Sequence, residues 1–332
     1  MVAAKLLLVA CSAFSSHLGE GQGSIGGLVV NASKGKVPAG GAEVVLRVEL
    51  DGRFVPFRET IADAQGQFRF DDLPVGKPYL YLPGANCDDI HYPGPRVQLT
   101  AERPHVRVDL AVCNAVSRPN PLVIRRQEIV IRPEPGVLNV TESILVENPT
   151  STCYVGQAME EGAEPVTLPL AIPSDFERVT FREEFFGRRF SIADAKLVTG
   201  IPWMPGQREL TFTYLLPNQQ RYRLWQRPLD LPCAHLRLSV QTTKPQEISC
   251  NLERVSGKTG ESSSQVIFES AQRTLPAGYM IRVELGQLPV PLMAYARWMA
   301  VLVLGGLVVA ISLIMIGWRS AKPRTADYPR HS

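Results

Sequence analysis

The feature that most constrains this chain lies near its C-terminus, where residues 298–318, WMAVLVLGGLVVAISLIMIGW, run for 21 positions without a charged side chain. At about 1.5 Å per residue a helix of that length reaches roughly 31 Å, the thickness of a hydrocarbon core. The run predicts one transmembrane helix. A buried helix of a soluble domain seldom needs so long an uncharged stretch. Tyr295 and Trp298 flank one end and Trp318 the other, where amphipathic rings prefer the headgroup layer. Arg319, Lys322, Arg324 and Arg330 follow against Asp327 alone, so the tail 319–332 is expected in the cytoplasm. That tail accounts for the whole formal net charge of +3, and everything before Arg319 sums to zero. A neutral body has no electrostatic footprint for nucleic acid.

At the other end Lys5 precedes Leu6, Leu7, Leu8, Val9 and Ala10, followed by the small residues Ser12, Ala13, Ser15 and Ser16. This is the order of a secretory signal, assigned to residues 1–22. The run from Leu8 to Cys11 also resembles a bacterial lipobox, although a chain already fixed by a helix has little need of a second anchor. Export at one end and a spanning helix at the other place the chain as a single-pass membrane protein. Its body is then extracytoplasmic, in the periplasm or at the cell surface.

Between these ends the punctuation is dense, with 26 Gly and 27 Pro in 332 residues, which favours turns and short strands over helices. An all-β body is the expectation. Residues 24–30, 42–50, 54–61, 67–70, 79–82 and 105–113 each place Val, Ile, Leu, Phe or Tyr at roughly two-residue spacing, with a short seventh run at 96–99. Asp63, Ala64, Gln65 and Gly66 form a turn in which Asp bonds back to the backbone and Gly takes positive φ. Phe68 and Phe70 then share one face.

Gly26 and Val29, Gly35 to Pro38, Ala42 with Val44, Asp63 to Gly66 with Phe68 and Phe70, and Leu73, Pro74, Gly76 and Tyr79 together resemble the carboxypeptidase regulatory-like domain family. The resemblance covers about 90 of the 332 residues. It departs at Lys36 to Pro38 and at Lys77 and Pro78, both in loops. It implies a seven-stranded, transthyretin-like Greek-key sandwich over residues 23–116, and no catalysis. The same fold occurs in 5-hydroxyisourate hydrolase, but that enzyme's histidine-rich and C-terminal signatures are absent here.

A Pro-rich joint at Pro119 to Pro121 leads to a second β region, 117–290, with strands read at 124–131, 137–147, 166–172, 178–181, 209–216, 222–226, 236–240, 265–269 and 280–285. The clearest holds Leu210, Phe212 and Tyr214 with threonines between them, ended by Pro217. This patterning suits an immunoglobulin-like or larger β-sandwich, as one large sandwich or two small ones.

Chemistry-bearing motifs are sparse. Cys87, Cys113, Cys153, Cys233 and Cys250 remain outside the signal, and in an exported chain they read as disulfide chemistry. Proximity in sequence suggests Cys87 with Cys113 and Cys233 with Cys250. Cys87, Asp88, Asp89, Ile90 and His91 form the densest set of metal-ligand types, yet no second ligand pair stands at a usable spacing, so a polar loop is the better reading and no metal is assigned. No nucleophile motif, metallopeptidase signature or phosphate loop occurs, so no catalytic residue and no cofactor is assigned. The run Arg221, Tyr222, Arg223, Leu224, Trp225, Gln226, Arg227 puts Trp225 on the face of Arg221, Arg223 and Arg227 if it is a strand. If that face is exposed, it is the best candidate for a binding surface. Arg182, Glu183, Glu184, Arg188 and Arg189, with Phe185 and Phe186, read as a mixed-charge hairpin.

The sequence thus points to a non-enzymatic, membrane-anchored envelope protein presenting β modules to a protein or glycan. The alternative is an accessory subunit of an integral membrane complex, in which the helix makes the main contacts through the small-residue spacing Gly306-x-x-x-Ala310.

Overall fold

The computed structural model describes residues 23–320 apart from 77–78, 159–162, 183–189, 194–195, 218–221, 260–263, 272 and 288–291. The expected signal at 1–22 lies outside the described residues, as does the tail from 321 onward. The chain is mostly β, arranged as several sheets, with one long helix at the end.

The first unit begins with β1 (Gly23–Asn31) and β2 (Val37–Pro38), followed by β3 (Glu43–Leu50), β4 (Arg53–Ile61) and β5 (Gln67–Leu73). It continues with β6 (Tyr81–Cys87), β7 (Ile90–Pro93), β8 (His105–Arg107) and β9 (Leu110–Val112). One sheet gathers β2, β5, β8 and β9 around β1, and the other has the order β4-β3-β6-β7. Their inner faces share one core that includes Ile25, Leu46, Phe68, Phe70, Tyr81 and Leu110.

The nine strands differ from the expected seven in three ways: β2 and β7 are additional, the run at 96–99 is lost, and the last expected strand is split in two. The strand read at 105–113 is broken at Val108, whose backbone enters the space left by Gly27 in β1. A Cβ on Gly27 would stand 1.8 Å from the Val108 carbonyl oxygen. His105–Arg107 therefore pairs with Ser24 to Gly26, and Leu110–Val112 re-pairs further along with Val29 to Asn31. Asp109 between them accepts the Leu28 N–H at 3.1 Å. The run at 96–99 forms no strand but a single bridge between Val97 and Tyr81. The Asp63 turn behaves as read: its carboxylate accepts the N–H groups of Gln65 and Gln67 at 3.0 and 2.7 Å, and Gly66 has φ 75°.

After β10 (Ala115–Val116), two long strands, β11 (Val123–Glu134) and β12 (Val137–Asn148), form a hairpin. Short elements follow: β13 (Cys153–Tyr154), β14 (Gln157–Ala158), β15 (Pro165–Val166), β16 (Leu168–Ala171), β17 (Arg178–Phe181), β18 (Ser191–Ala193) and β19 (Lys196–Thr199). Then come β20 (Gly206–Pro217), β21 (Tyr222–Pro228), β22 (Leu236–Thr242), β23 (Ser249–Cys250), β24 (Glu253–Thr259), β25 (Ser264–Glu269) and β26 (Met280–Gln287). The largest sheet has seven strands in the order β17-β20-β12-β11-β22-β25-β24. Smaller sheets, β16-β19-β18 and β21-β26-β23, contribute to the same buried cluster as its inner face. The second region therefore shares one buried core.

Helix α1 (Leu292–Ser320) has 29 residues. Its side chains are described continuously only over residues 299–313. Among the described residues no helix is long and apolar enough to cross a membrane. The run from Trp298 to Trp318 carries no charged side chain. Val301, Leu302, Val303 and Leu304 are consecutive and each 60 % exposed or more, so every side of the helix presents apolar surface.

Candidate functional site

The expected binding face around Trp225 is a core face. Trp225 and Arg227 are each only 1 % exposed, whereas Leu224 and Gln226 point outward. Pairing explains the inversion: Trp225 stands opposite Val283 and Arg227 opposite Ile281, two fully buried residues of β26. Arg221 lies outside the described residues, as does the side chain of Arg223.

What Arg227 does is satisfy a buried carboxylate. Leu138, Val140, Glu142, Ile144 and Val146 share the inner face of β12, so Glu142 is an acid in an apolar row and is fully buried. One of its oxygens lies 3.1 Å from Arg227 Nε and accepts the Tyr214 hydroxyl at 2.9 Å. The other accepts Gln127 Nε2 at 2.9 Å. Arg227 also reaches Asp230 at 2.9 Å, and Asp230 accepts the Ala171 N–H at 2.8 Å. Burial pushes the Glu142 and Asp230 carboxyls up, opposed in each case by Arg227. Burial likewise raises the Tyr214 phenol well above its ordinary range. Every member of this cluster is committed to another, which makes it a structural ion cluster.

The cysteines are also placed differently from expectation. Cys87, Cys113, Cys153, Cys233 and Cys250 are free thiols. Cys113 packs in the first core beside Cys153, which the β10–β13 pairing brings in from the second region. Cys233 is bridged to Ile124 and Leu275, while Cys250 pairs with Val283 on another sheet, so their neighbours in sequence are not their neighbours in space. Burial pushes the Cys153 and Cys233 thiols up to about 11.

Cys87 to His91 form a tight hairpin. Cys87 pairs with Ile90, and Asp88 and Asp89 occupy the two turn positions at φ 51° and 60°, the left-handed pair that a tight hairpin requires. His91 contacts Arg47 and Asn86, and burial together with Arg47 lowers its pKa to about 4. Among the described residues no group of three His, Cys, Asp or Glu can hold a metal ion.

A feature not anticipated from the sequence is the outer face of the seven-stranded sheet. There Thr180, Thr213, Thr141 and Val130 lie in one row across β17, β20, β12 and β11. Arg178, Leu215, Asn139 and Arg132 make the next row. Thr141 bonds Thr213 at 3.0 Å and Ser143 bonds Thr211 at 2.9 Å, so the floor is a hydroxyl ladder. The face encloses an open groove of about 540 Å³, with Arg132, Arg178 and Arg182 on its rim. The signal was present as alternation: threonine and serine on the outward positions of the two long strands β12 and β20, with Thr180 on the short β17, mark a face kept half-buried and polar. Residues 183–189, the greater part of the expected mixed-charge hairpin, lie outside the described residues.

Comparison with known proteins assigns no family. No family model matches the chain, and no curated protein does. Among solved structures, an M1 zinc metallopeptidase from Deinococcus radiodurans is similar at 12% identity with a TM-score of 0.30. That similarity covers 50% of this chain and 42% of the other. A candidate protease from Parabacteroides distasonis is similar at 10% identity with a TM-score of 0.35, covering 50% of this chain and 41% of that one. The chain thus spans less than half the length of either, and likenesses of this strength carry no activity across.

Proposed function

We propose that this chain is a non-enzymatic, single-pass membrane protein of the cell envelope, whose β body stands outside the cytoplasm and presents a binding surface to a protein or glycan. The observation that carries the reading is α1, whose side chains described at 299–313 are exposed and largely apolar on every side of the helix. A helix apolar on every side needs either a protein core or lipid around it, and Val301 to Leu304 have no core. The basic tail after Trp318 supports the orientation. The body's resemblance to a carboxypeptidase regulatory-like module over residues 24–113, with its Asp63 turn and buried Phe68 and Phe70, is consistent with a non-catalytic presenting role. The binding surface is the groove on the outer sheet face, and not the buried face of Trp225.

Truncation after Gln287 tests the anchor. The shortened chain is expected in the soluble fraction of exported protein and the full chain in alkaline-washed membranes. Equal partition of the two would overturn the reading. The alternative role, as an accessory subunit of a membrane complex, draws support from Gly305 and Gly306, beside which nothing lies within 4 Å, leaving room for a second helix. Loss of a copurifying membrane partner on Gly306→Ile would favour it.

A further inference from the structure

The outer groove has a charge asymmetry that selects among partners. Toward one end of the sheet the carboxylates are already matched: Arg126 stands 3.7 Å from Glu128 and 3.8 Å from Glu209, and Arg237 stands 3.7 Å from Glu269. At the other end Arg132, Arg178 and Arg182 are exposed, and none makes an ion pair among the described residues. Arg178 and Arg132 sit three strand steps apart, about 14 Å, and Arg178 and Arg182 four residues apart, about 13 Å. The three guanidinium groups therefore frame the hydroxyl ladder without neutralising one another.

Backbone chemistry narrows the partner further. The groove floor is the interior of a sheet, and the β12–β20 and β11–β12 ladders use the N–H and C=O groups of its central strands. An extended peptide laid across these central strands finds no free backbone edge to join, and of the groove's strands only β17 stands at the edge of the sheet. What the floor offers is side-chain hydroxyls, with Phe181 half-buried at one edge. Hydroxyl rows framed by guanidinium groups match a polymer that is itself rich in hydroxyls and carries carboxylates at intervals.

We propose that this groove binds an acidic polysaccharide, its carboxylates pairing with Arg132, Arg178 and Arg182 and its hydroxyls lying on the ladder of Thr141, Thr213 and Thr211. This deepens the binding role proposed above and rests on it.

The test uses the full chain in phosphatidylcholine nanodiscs, with oligogalacturonate as probe and neutral dextran, poly-glutamate and phosphatidylglycerol vesicles beside it. The expected result is capture of oligogalacturonate but not dextran, weakened by salt. Arg132→Gln, Arg178→Gln and Arg182→Gln should each weaken it roughly three- to fivefold, and the triple variant roughly thirty- to a hundredfold. Arg126→Gln, on the same face but already paired, should leave binding unchanged. These are exposed positions, and an unchanged near-ultraviolet circular dichroism spectrum separates lost binding from lost folding. Absence of oligogalacturonate binding, or equal weakening by Arg126→Gln, overturns the proposal. If poly-glutamate or the vesicles bind instead, and the triple variant abolishes that, the groove remains a binding surface and only the polysaccharide assignment falls. If no probe distinguishes wild type from the triple variant, the groove as a binding surface falls with it, while the anchor is judged separately by fractionation.

Discussion

Replacing Arg227 by Met keeps the approximate length of a fully buried side chain and removes the one cation between Glu142 and Asp230. The guanidinium lies 3.1 Å from Glu142 and 2.9 Å from Asp230. At an effective dielectric constant near 20 each pairing is worth about 5 kcal/mol of Coulomb attraction, most of which the desolvation of the ions cancels. The net cost of leaving the carboxylates uncompensated is about 3–5 kcal/mol. Glu142 keeps Tyr214 and Gln127 as donors and Asp230 keeps the Ala171 N–H, which places the loss toward the lower end. Urea denaturation of the detergent-solubilised chain at pH 7 measures it, with exposed Gln226→Ala as a control expected to move stability by no more than about 0.5 kcal/mol. The pH dependence has a definite sign. Burial raises both carboxyls, so the folded variant takes up protons before the unfolded chain does, and acidification stabilises it relative to pH 7. The deficit should therefore shrink between pH 7 and pH 5. A loss below about 1 kcal/mol, or one that grows on acidification, would refute the assignment of Arg227 as the internal counter-ion.

Gly27→Ala should cost about 2 kcal/mol or more in the same assay, because the added methyl meets the Val108 carbonyl at 1.8 Å, and a neutral result would contradict the strand switch there. At pH 8 Cys153 and Cys233 should resist alkylation in the folded protein, being fully buried and raised to about 11, and should react once unfolded. Recovery of a linked Cys87–Cys113 peptide without reduction would overturn the free-thiol assignment. Trp225→Phe should lower stability without altering capture of any surface ligand, since the ring is 1 % exposed.

Much of the strand pattern was legible because alternation is a local property. Leu210, Phe212 and Tyr214 announced β20, and Arg178–Phe181 was bounded as found. What escaped was whatever depended on tertiary partners. Alternation gives two faces for residues 221–227 but not which is inward, and Arg227 with Trp225 reads as a wet face until Glu142 is noticed. Glu142 occupies an apolar row of β12, between Val140 and Ile144, and that conflict was itself a readable demand for a buried cation. Asp230, three residues beyond Arg227, reinforced it. The break at Val108 could not be foreseen from propensity, since it follows from the close approach that Gly27 permits. Sequence proximity also could not show that the chain returns Cys153 to Cys113 after a long hairpin, or that Cys233 and Cys250 take different neighbours. The basic groove assembles Arg132 and Arg178 from strands 46 positions apart, and no local pattern joins them.

The central claim is an extracytoplasmic β body held by α1, and protease added to intact spheroplasts expressing the chain with an epitope tag after Ser332 tests it most directly. The expected result is loss of the body from 23 to about 290 and retention of a small membrane fragment carrying the helix and the tag. Survival of the body, or loss of the tag while cytoplasmic markers stay intact, would contradict the account.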